Sequence, residues 1–316
     1  MLLTVAALVV GVVVLARAAD VFVGGASAVS TRYGISPVVV GAVVIGFGTS
    51  APELLVSGIA AAEGAADVGI GNVVGSNVAN MTLVLGIAGL VGAGIAVTSS
   101  TIRREVPLSI GATVLFGWFL QGGLTRVEGL ILLLAPAGAL TLVILGGRRD
   151  SADPVLAQAA DAAPASVSGS AARDWLLTGG GLLGVVLGAQ ALVWGAERAA
   201  VSLGLSGGFV GMTIVAVGTS MPEIVTSAKA AARGSADLLI GNLLGSNMFN
   251  ALAVGGVVAL LAPGPIDEPN LTQVGVLAMI GSSLLALAFM LTRRSVNRLE
   301  AALLVVFYVM LLPFLV

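Results

Sequence analysis

The stretch GTSAPELLVSGIAAAEGAADVGIGNVVGSNVAN, residues 48–80, returns as GTSMPEIVTSAKAAARGSADLLIGNLLGSNMFN at residues 218–250. The two copies align without a gap at a constant offset of 170 residues, and 19 of the 33 positions are identical. A repeat of this length predicts an architecture built from two copies of one unit. Each copy also places a glutamate, Glu53 or Glu223, within an otherwise apolar segment.

The composition is that of a polytopic membrane protein. Of the 316 residues, 58% are hydrophobic and 9% are charged, whereas a soluble domain carries roughly 25% charged residues. The net charge of −2 gives no indication of a nucleic-acid partner, so the expected partner is the lipid bilayer. The chain contains no histidine and no cysteine, which removes the commonest general base and thiol nucleophile. We therefore expect no enzymatic activity and no cofactor.

Apolar runs separated by charged or Gly/Pro/Ser-rich breaks predict ten membrane spans, since a bilayer core requires about 20 apolar residues per helix. We place the spans at residues 2–23, 36–61, 68–92, 104–121, 127–146, 175–197, 206–231, 237–262, 272–292 and 299–316. The long break at 147–173 is rich in Ala, Ser, Asp and Pro and predicts a flexible linker. The linker then separates a first five-helix repeat, residues 1–146, from a second, residues 174–316.

The number of spans in each half predicts how the halves are related. Five is odd, so the second half has to enter the membrane from the opposite side. The predicted fold class is therefore an all-α polytopic membrane protein with ten transmembrane helices in two inverted five-helix repeats. Secondary transporters of this architecture bind their substrates near the midplane, between the repeats.

The basic residues predict the orientation, because cytoplasmic loops carry an excess of Lys and Arg. If the N-terminus lies outside, twelve of the 14 Lys and Arg residues fall on the cytoplasmic side. Both termini are then extracytoplasmic and the linker is cytoplasmic. The default location is a bacterial or archaeal plasma membrane.

The GTSxPE block of each copy has the composition of a cation site. Pro52 and Pro222 each remove a helical hydrogen bond and free carbonyl groups in the preceding turn. The neighbouring hydroxyls and the glutamate add further oxygens, and hard cations such as Na⁺ and Ca²⁺ prefer oxygen ligands. A proline kink with Ser and Thr bonded back to the helix is the structural alternative. The glutamate, duplicated at a fixed offset, favours cation binding.

The second block adds two polar pairs. Ser76 and Asn80 lie one helical turn apart on the same face, as do Ser246 and Asn250. The amides could join neighbouring helices or offer their oxygens to a cation, and their position beside a glutamate-bearing helix favours the second role.

Other polar and small residues of the repeat have structural interpretations. Gly241 and Gly245, like their counterparts in the first copy, have the spacing that allows close helix packing. Asp67 and Asp237 fall at predicted helix starts, where N-capping is the favoured role.

The paired blocks GTSxPE…GNxxGSNxxN resemble the α-repeats of the sodium/calcium exchanger branch of the calcium/cation antiporter family. The resemblance covers 66 of the 316 residues directly. It implies exchange of Ca²⁺ for several Na⁺ by alternating access, with both ions bound as substrates. The second, third, seventh and eighth helices would form the site, the first and sixth would slide, and one chain would suffice for transport; the oligomeric state stays open. The implied metal ligands are Glu53, Glu223, Thr49, Thr219, Ser50, Ser220, Ser76, Ser246, Asn80, Asn250, Gly46 and Ala216.

Two departures from relatives bear on the coupled ion. Some members, including potassium-dependent exchangers, carry Asp where this chain has Asn250, which argues against K⁺ co-transport. Proton-coupled relatives tend to carry acidic residues after the GN pair, where this chain has Val73 and Leu243. Na⁺ coupling is therefore favoured, while a Ca²⁺/H⁺ exchanger on the same fold, another divalent substrate and a cation channel remain alternatives. With two buried carboxylates at the site, we also expect protons to compete with Ca²⁺.

Overall fold

The structure is a computed structural model that describes residues 2–35, 37–64, 66–92, 94–150, 170–202, 216–266, 268 and 271–315. The described part is almost entirely helical. The elements of the first half are α1 (Leu2–Tyr33), α2 (Pro37–Val40), a π-helical segment (Gly41–Gly46), α3 (Phe47–Thr49), α4 (Ala51–Ala62), α5 (Ala66–Ala79), a π-helical segment (Asn80–Val84), α6 (Leu85–Val91), β1 (Ile95–Ala96), α7 (Ser99–Arg103), α8 (Glu105–Leu120) and α9 (Arg126–Asp150).

The second half repeats much of this order. Its elements are α10 (Ala171–Ser202), α11 (Ala216–Thr219), α12 (Met221–Ala232), α13 (Ala236–Phe249), a π-helical segment (Asn250–Val254), α14 (Gly255–Leu261), a π-helical segment (Leu271–Gly275), α15 (Val276–Leu291), β2 (Ser295–Val296) and α16 (Arg298–Leu315). Over the described residues the predicted all-α class is confirmed except for two strands of two residues each, which pair antiparallel.

Each of the ten predicted intervals contains helix among its described residues. In the part of the chain that the structure describes, four helical stretches are long and apolar enough to cross a membrane: Leu3–Tyr33, Ala66–Val91, Ala236–Leu261 and Leu271–Leu291. A fifth is added if Gly41–Thr49 and Ala51–Ala62, which bend by 43° at their junction, form one span. These lengths do not establish the number of spans, so ten stays a prediction.

Two predicted boundaries need correction. The sequence predicts that the first interval ends at residue 23, but α1 continues to Tyr33. Its small and polar extension has no strongly apolar sequence signal, and it is helical because it packs against α10, with Gly25 directly over the backbone at Thr178. Helix also covers positions 147–150 and 171–173 of the predicted linker; residues 151–169 lie outside the described residues.

Both GTSxPE motifs interrupt a helix at the serine, as the prolines predict. Ser50 has φ −83° and ψ 10°, and Ser220 has φ −81° and ψ 3°, so the chain leaves α-helical geometry and re-enters it at once. Pro52 and Pro222 fall in the first turn of the following helix, where the missing N–H has no helical acceptor to lose. Each glutamate therefore lies in the first turn of a new helix.

Contacts between the halves come in corresponding pairs, as expected for two repeats. α8 packs on α13 and α15 packs on α5, while α9 packs on α14 and α16 packs on α6. The short backbone pairings follow the same pattern: Ile95 pairs with Val296, and Leu124 pairs with Gly264. In both cases a loop after a central helix meets the loop before the last helix of the other half.

The central helices are α5 and α13, which are buried along most of their length. Gly245 of α13 lies against the main chain of Ala42, so its predicted role in close packing is confirmed. Asp67 and Asp237, predicted as N-caps, lie one residue beyond the first residue of their helices. The N-cap position of α13 is occupied by Ser235, because the helix begins at Ala236, before Asp237.

α1 and α10 form a closely packed antiparallel pair. Gly25 of α1 lies over Thr178, and towards the other end Gly188 of α10 lies over Leu15. Between these points Gly181 packs on Phe22 and Gly184 on Ala18, so small residues allow the backbones to approach along the whole contact.

Candidate cation-binding site

Two carboxylates lie at the centre of the molecule, and each is held by the other repeat. Glu53 and Glu223 are both 0% exposed and are close enough to interact electrostatically. Ser50 Oγ lies 3.1 Å from Oε1 of Glu223, and Ser220 Oγ lies 3.4 Å from Oε1 of Glu53. The hydroxyls donate these bonds, since an ionised carboxylate can only accept.

The two threonines of the motifs are also bonded across the repeats. Thr49 Oγ1 lies 3.2 Å from Oδ1 of Asn242, and Thr219 Oγ1 lies 3.1 Å from Oδ1 of Asn72. Neither asparagine is among the ligands predicted from the sequence. Their signal was the GN pair, which is identical in the two copies at the constant offset of 170 residues.

The serines of the second block differ between the halves. Ser246 Oγ lies 3.0 Å from the carbonyl oxygen of Gly46 and 3.3 Å from Oε1 of Glu223. Its counterpart Ser76 has a buried hydroxyl without a hydrogen-bond partner. Ala216 begins α11 beside residues outside the described ranges, so only its backbone position is known.

The predicted asparagine ligands both begin a π-helical segment, Asn80–Val84 and Asn250–Val254. Such segments inside α-helices are frequent at functional sites. Asn80 Nδ2 donates to Oδ1 of Asn247 at 3.0 Å. Its nitrogen therefore joins two helices, which was the alternative to cation binding. Its Oδ1 has no partner, and neither amide atom of Asn250 has one.

Buried oxygens without hydrogen-bond partners therefore gather on the helices that carry the two repeat motifs. They are Oε2 of Glu53, Oε2 of Glu223, Oγ of Ser76, and Oδ1 of Asn77, Asn80 and Asn250. Buried polar atoms in proteins are nearly always paired with protein, water or an ion. Six of the seven unpartnered atoms on these helices are oxygens, the exception being Nδ2 of Asn250, and oxygens are the ligands that a hard cation prefers. Asn77 was not among the predicted ligands, although it belongs to the repeated GSN.

The charge of the cluster comes from the two glutamates. Across the described ranges, no three or more acidic, histidine or cysteine side chains come together. The amides and hydroxyls supply oxygen without charge, so the described site balances two positive charges.

Comparison with known proteins decides the family. The profile described as sodium/calcium exchanger protein matches residues 3–145 and 173–316, almost the whole chain. The chain belongs to this exchanger family. It is an integral membrane cation antiporter, not an enzyme.

Relatives of this exchanger match it over nearly their full length. The chain is 38% identical to CaxA, a candidate antiporter of Alkalimonas amylolytica, over 98% of this chain and 97% of that protein. It is 30% identical to the sodium/calcium exchanger MaX1 of Methanosarcina acetivorans, over 96% and 95%. The fold is similar to that of the sodium-calcium exchanger NCX_Mj, with a TM-score of 0.85 and 27% identity over 99% of this chain and 98% of that one.

Proposed function

We propose that this protein exchanges Ca²⁺ for Na⁺ by alternating access at a midplane site between two inverted five-helix repeats, residues 1–146 and 174–316. The observation that carries the proposal is the group of unpartnered, fully buried oxygens on the motif helices that hold Glu53 and Glu223. The similarity to MaX1 and NCX_Mj, both sodium/calcium exchangers, supports the choice of ions.

The charge of the site provides the coupling. Two carboxylates balance one Ca²⁺, and the same oxygens can instead be divided among several Na⁺, but they cannot hold both loads together. Exclusion of one ion by the other at a single site is what antiport requires. The proposed ligands are the twelve residues predicted from the sequence: Glu53, Glu223, Thr49, Thr219, Ser50, Ser220, Ser76, Ser246, Asn80, Asn250, Gly46 and Ala216.

The α1–α10 pair is the proposed moving part. It is held together by backbone contacts at glycines, and its inner side chains, including Leu15, Phe22 and Val185, form an apolar cluster with Ile45 of the π-helical segment Gly41–Gly46 and Leu238 of α13. A pair that is tightly joined within itself and meets the rest of the molecule mainly through apolar side chains can slide as one body and open the site to either side in turn.

The proposed topology has ten transmembrane helices, extracytoplasmic termini and a cytoplasmic segment between the repeats, in a prokaryotic plasma membrane. The excess of basic residues on one side supports this orientation, and the corresponding contacts between the two halves support the internal symmetry.

The test is Ca²⁺ uptake by purified protein in liposomes. Vesicles loaded with Na⁺ are diluted into Na⁺-free buffer, and ⁴⁵Ca²⁺ uptake is followed for wild type, Glu223→Gln and Glu63→Gln. Glu63 is an exposed carboxylate at the end of α4, so Glu63→Gln removes an equal charge away from the site. We expect uptake driven by the Na⁺ gradient in wild type and Glu63→Gln, and none in Glu223→Gln.

Other outcomes would replace the proposal. Uptake driven only by a pH gradient would establish Ca²⁺/H⁺ exchange at the same residues. Single-channel currents without gradient coupling would indicate a channel. Full uptake by Glu223→Gln would place the site elsewhere.

A further inference from the structure

Asn72 and Asn242 each receive hydrogen-bond support from their own repeat. Asn72 Nδ2 donates to Ser57 Oγ at 3.0 Å and lies 3.5 Å from the carbonyl oxygen of Glu53. Asn242 Nδ2 donates to Ser227 Oγ at 2.9 Å. Both asparagines are buried, and this bonding repeats at the offset of 170 residues.

These contacts fix which way each amide faces. The carbonyl of Glu53 can only accept, so the nitrogen of Asn72 has to face it. Beside Asn242, the hydroxyl of Thr226 donates its one hydrogen to the carbonyl of Pro222 at 2.6 Å. It can therefore only accept from Asn242 Nδ2, at 3.3 Å. Each amide oxygen is consequently directed at a threonine of the other repeat.

The threonine hydroxyls have more than one acceptor for their single hydrogen. The carboxylate of Glu53 lies close to the hydroxyl of Thr219, and the carboxylate of Glu223 lies close to the hydroxyl of Thr49, in addition to the asparagine oxygens. A hydroxyl carries one hydrogen and two lone pairs. If the hydrogen lies towards the carboxylate, it occupies an oxygen that a cation needs.

A bound cation requires the opposite arrangement. Both the glutamate oxygen and the threonine oxygen then face the positive charge, so the hydroxyl hydrogen has to turn away from it. The amide oxygens lie at 3.1 Å and 3.2 Å from the two hydroxyls and are already oriented to accept that hydrogen.

We propose that Asn72 and Asn242 are positioning residues that act across the repeats: each accepts the hydroxyl hydrogen of the opposite threonine and so turns that threonine's oxygen towards the transported cation. The inference rests on the proposed function, because it assigns a role at the same site. Asn72 acts through Thr219, and Asn242 acts through Thr49. The effect of Asn242 is the smaller one, since the carbonyl of Gly46, 3.3 Å from Thr49 Oγ1, is a further acceptor.

The test is a pair of crossed double-mutant cycles. The single variants are Asn72→Leu, Asn242→Leu, Thr219→Val and Thr49→Val, which keep approximate size while removing the hydrogen-bonding groups. The dissociation constant for Ca²⁺ is measured by calorimetry on purified protein, and the Ca²⁺ concentration for half-maximal uptake is measured in liposomes. Loss of one such hydrogen bond predicts an increase of about fivefold in either quantity for Asn72→Leu. Thr219→Val also removes the ligand oxygen, so its increase should be at least as large.

The doubles distinguish positioning from general support of the fold. For Asn72→Leu with Thr219→Val, we expect no more than the effect of Thr219→Val alone, because that variant already removes both the ligand oxygen and the bond to Asn72. For Asn72→Leu with Thr49→Val, the two independent losses multiply to about 25-fold. The Asn242 cycles follow the same crossed pattern with smaller values. If Asn72→Leu only destabilised the fold, its effect on Ca²⁺ binding would be the same in combination with either threonine variant.

Several results would overturn the inference. The asparagines would have a structural role if Asn72 were coupled equally to Thr219 and Thr49. The same would follow if the effects of the single variants multiplied in every double variant. Asn72→Ala replaces Asn72→Leu if the latter aggregates, and aggregation of both would likewise assign Asn72 a structural role. Na⁺-driven wild-type uptake without crossed coupling would defeat only this inference. Calorimetric Ca²⁺ binding without Na⁺-driven uptake would defeat the proposed exchange, while the double-mutant cycles could still be measured from the Ca²⁺ dissociation constants.

Discussion

Ser50 of one repeat donates a hydrogen bond to Oε1 of Glu223 in the other across 3.1 Å, while Oε2 of the same carboxylate has no partner. Glu53 has the same division between an oxygen bonded to Ser220 and an unpartnered one. Each glutamate is therefore held in place by the opposite repeat and still presents one oxygen to a ligand.

Replacing Ser50 with Ala should lower the stability of the protein both without and with Ca²⁺. Glu223 loses one of its donors, which costs about 1 kcal/mol of unfolding free energy, and the site loses one of its proposed ligands. We expect a lower melting temperature without Ca²⁺ and a smaller stabilisation by Ca²⁺ than in wild type, measured by thermal unfolding. Ser283→Ala, whose hydroxyl bonds only back to Met279 in its own helix, is the control. Equal Ca²⁺ stabilisation in both variants would contradict the role of Ser50.

Replacing Asn250 with Asp should introduce a requirement for an additional monovalent cation. The amide is fully buried and neither of its polar atoms has a partner, so the new carboxylate raises the formal charge of the site from two negative charges to three. One Ca²⁺ no longer balances it. We expect K⁺ to stimulate ⁴⁵Ca²⁺ uptake by Asn250→Asp and not by wild type. Asn297→Asp, at the cap of α16, serves as the control, and K⁺ stimulation of wild type would refute the sequence-based argument against K⁺.

Lowering the pH should weaken Ca²⁺ binding. A proton neutralises a buried glutamate as a metal ion does, and a protonated carboxyl no longer offers an anionic ligand. Titration of Ca²⁺ between about pH 8 and about pH 5 should show affinity falling as the pH falls. An affinity that stays constant over this interval would show that the carboxylates of Glu53 and Glu223 are not shared with protons.

The sequence predicted the ends of most helices closely, because charged and Gly/Pro-rich breaks interrupt long apolar runs. The span predicted at 237–262, for example, is helical at Ala236–Leu261. The prediction failed at the end of α1, where small polar residues are helical only through contact with α10. At the site, residue type drew attention to Glu53 and Asn80, whereas Asn72 and Asn242 became visible only when their threonine partners were located across the repeats. A repeat shows which residues correspond, but it does not show which residues meet.

Removing the ion pair at Asp20 should change turnover more than stability. Asp20 of α1 binds Lys229 at 3.0 Å and Arg233 at 3.4 Å, and these side chains are about 40% exposed, so the pair contributes at most about 1 kcal/mol. These ion pairs join α1, part of the proposed moving pair, to Lys229 in α12 and to Arg233 at the C-terminal end of α12. We expect Asp20→Asn to alter the rate of Na⁺-driven Ca²⁺ uptake by up to about fivefold, with little change in melting temperature.

The matched control is the ion pair inside the moving unit. Arg32 of α1 binds Asp174 of α10 at 2.6 Å, and Asp174 is largely buried. Breaking a buried pair typically costs about 3–5 kcal/mol, so Asp174→Asn should lower the melting temperature. If Asp20→Asn and Asp174→Asn changed the uptake rate and the melting temperature in the same proportion, α1 and α10 would not move as one body.

Adding a methyl group at Gly245 should disrupt the contact between the two repeats. A Cβ at this position would lie 2.6 Å from Cα of Ala42. The atoms that it would meet belong to the main chain of Ala42, so the clash cannot be relieved by the rotation of a side chain. We expect Gly245→Ala to reduce stability by about 1–3 kcal/mol and to impair uptake, since the displaced segment ends at Gly46 beside the site. In the control Gly281→Ala, a Cβ meets nothing within 4 Å, and higher helix propensity should be neutral or stabilising by up to about 1 kcal/mol. Thermal unfolding of both variants distinguishes the two cases: equal melting temperatures would mean that the helices can separate without loss.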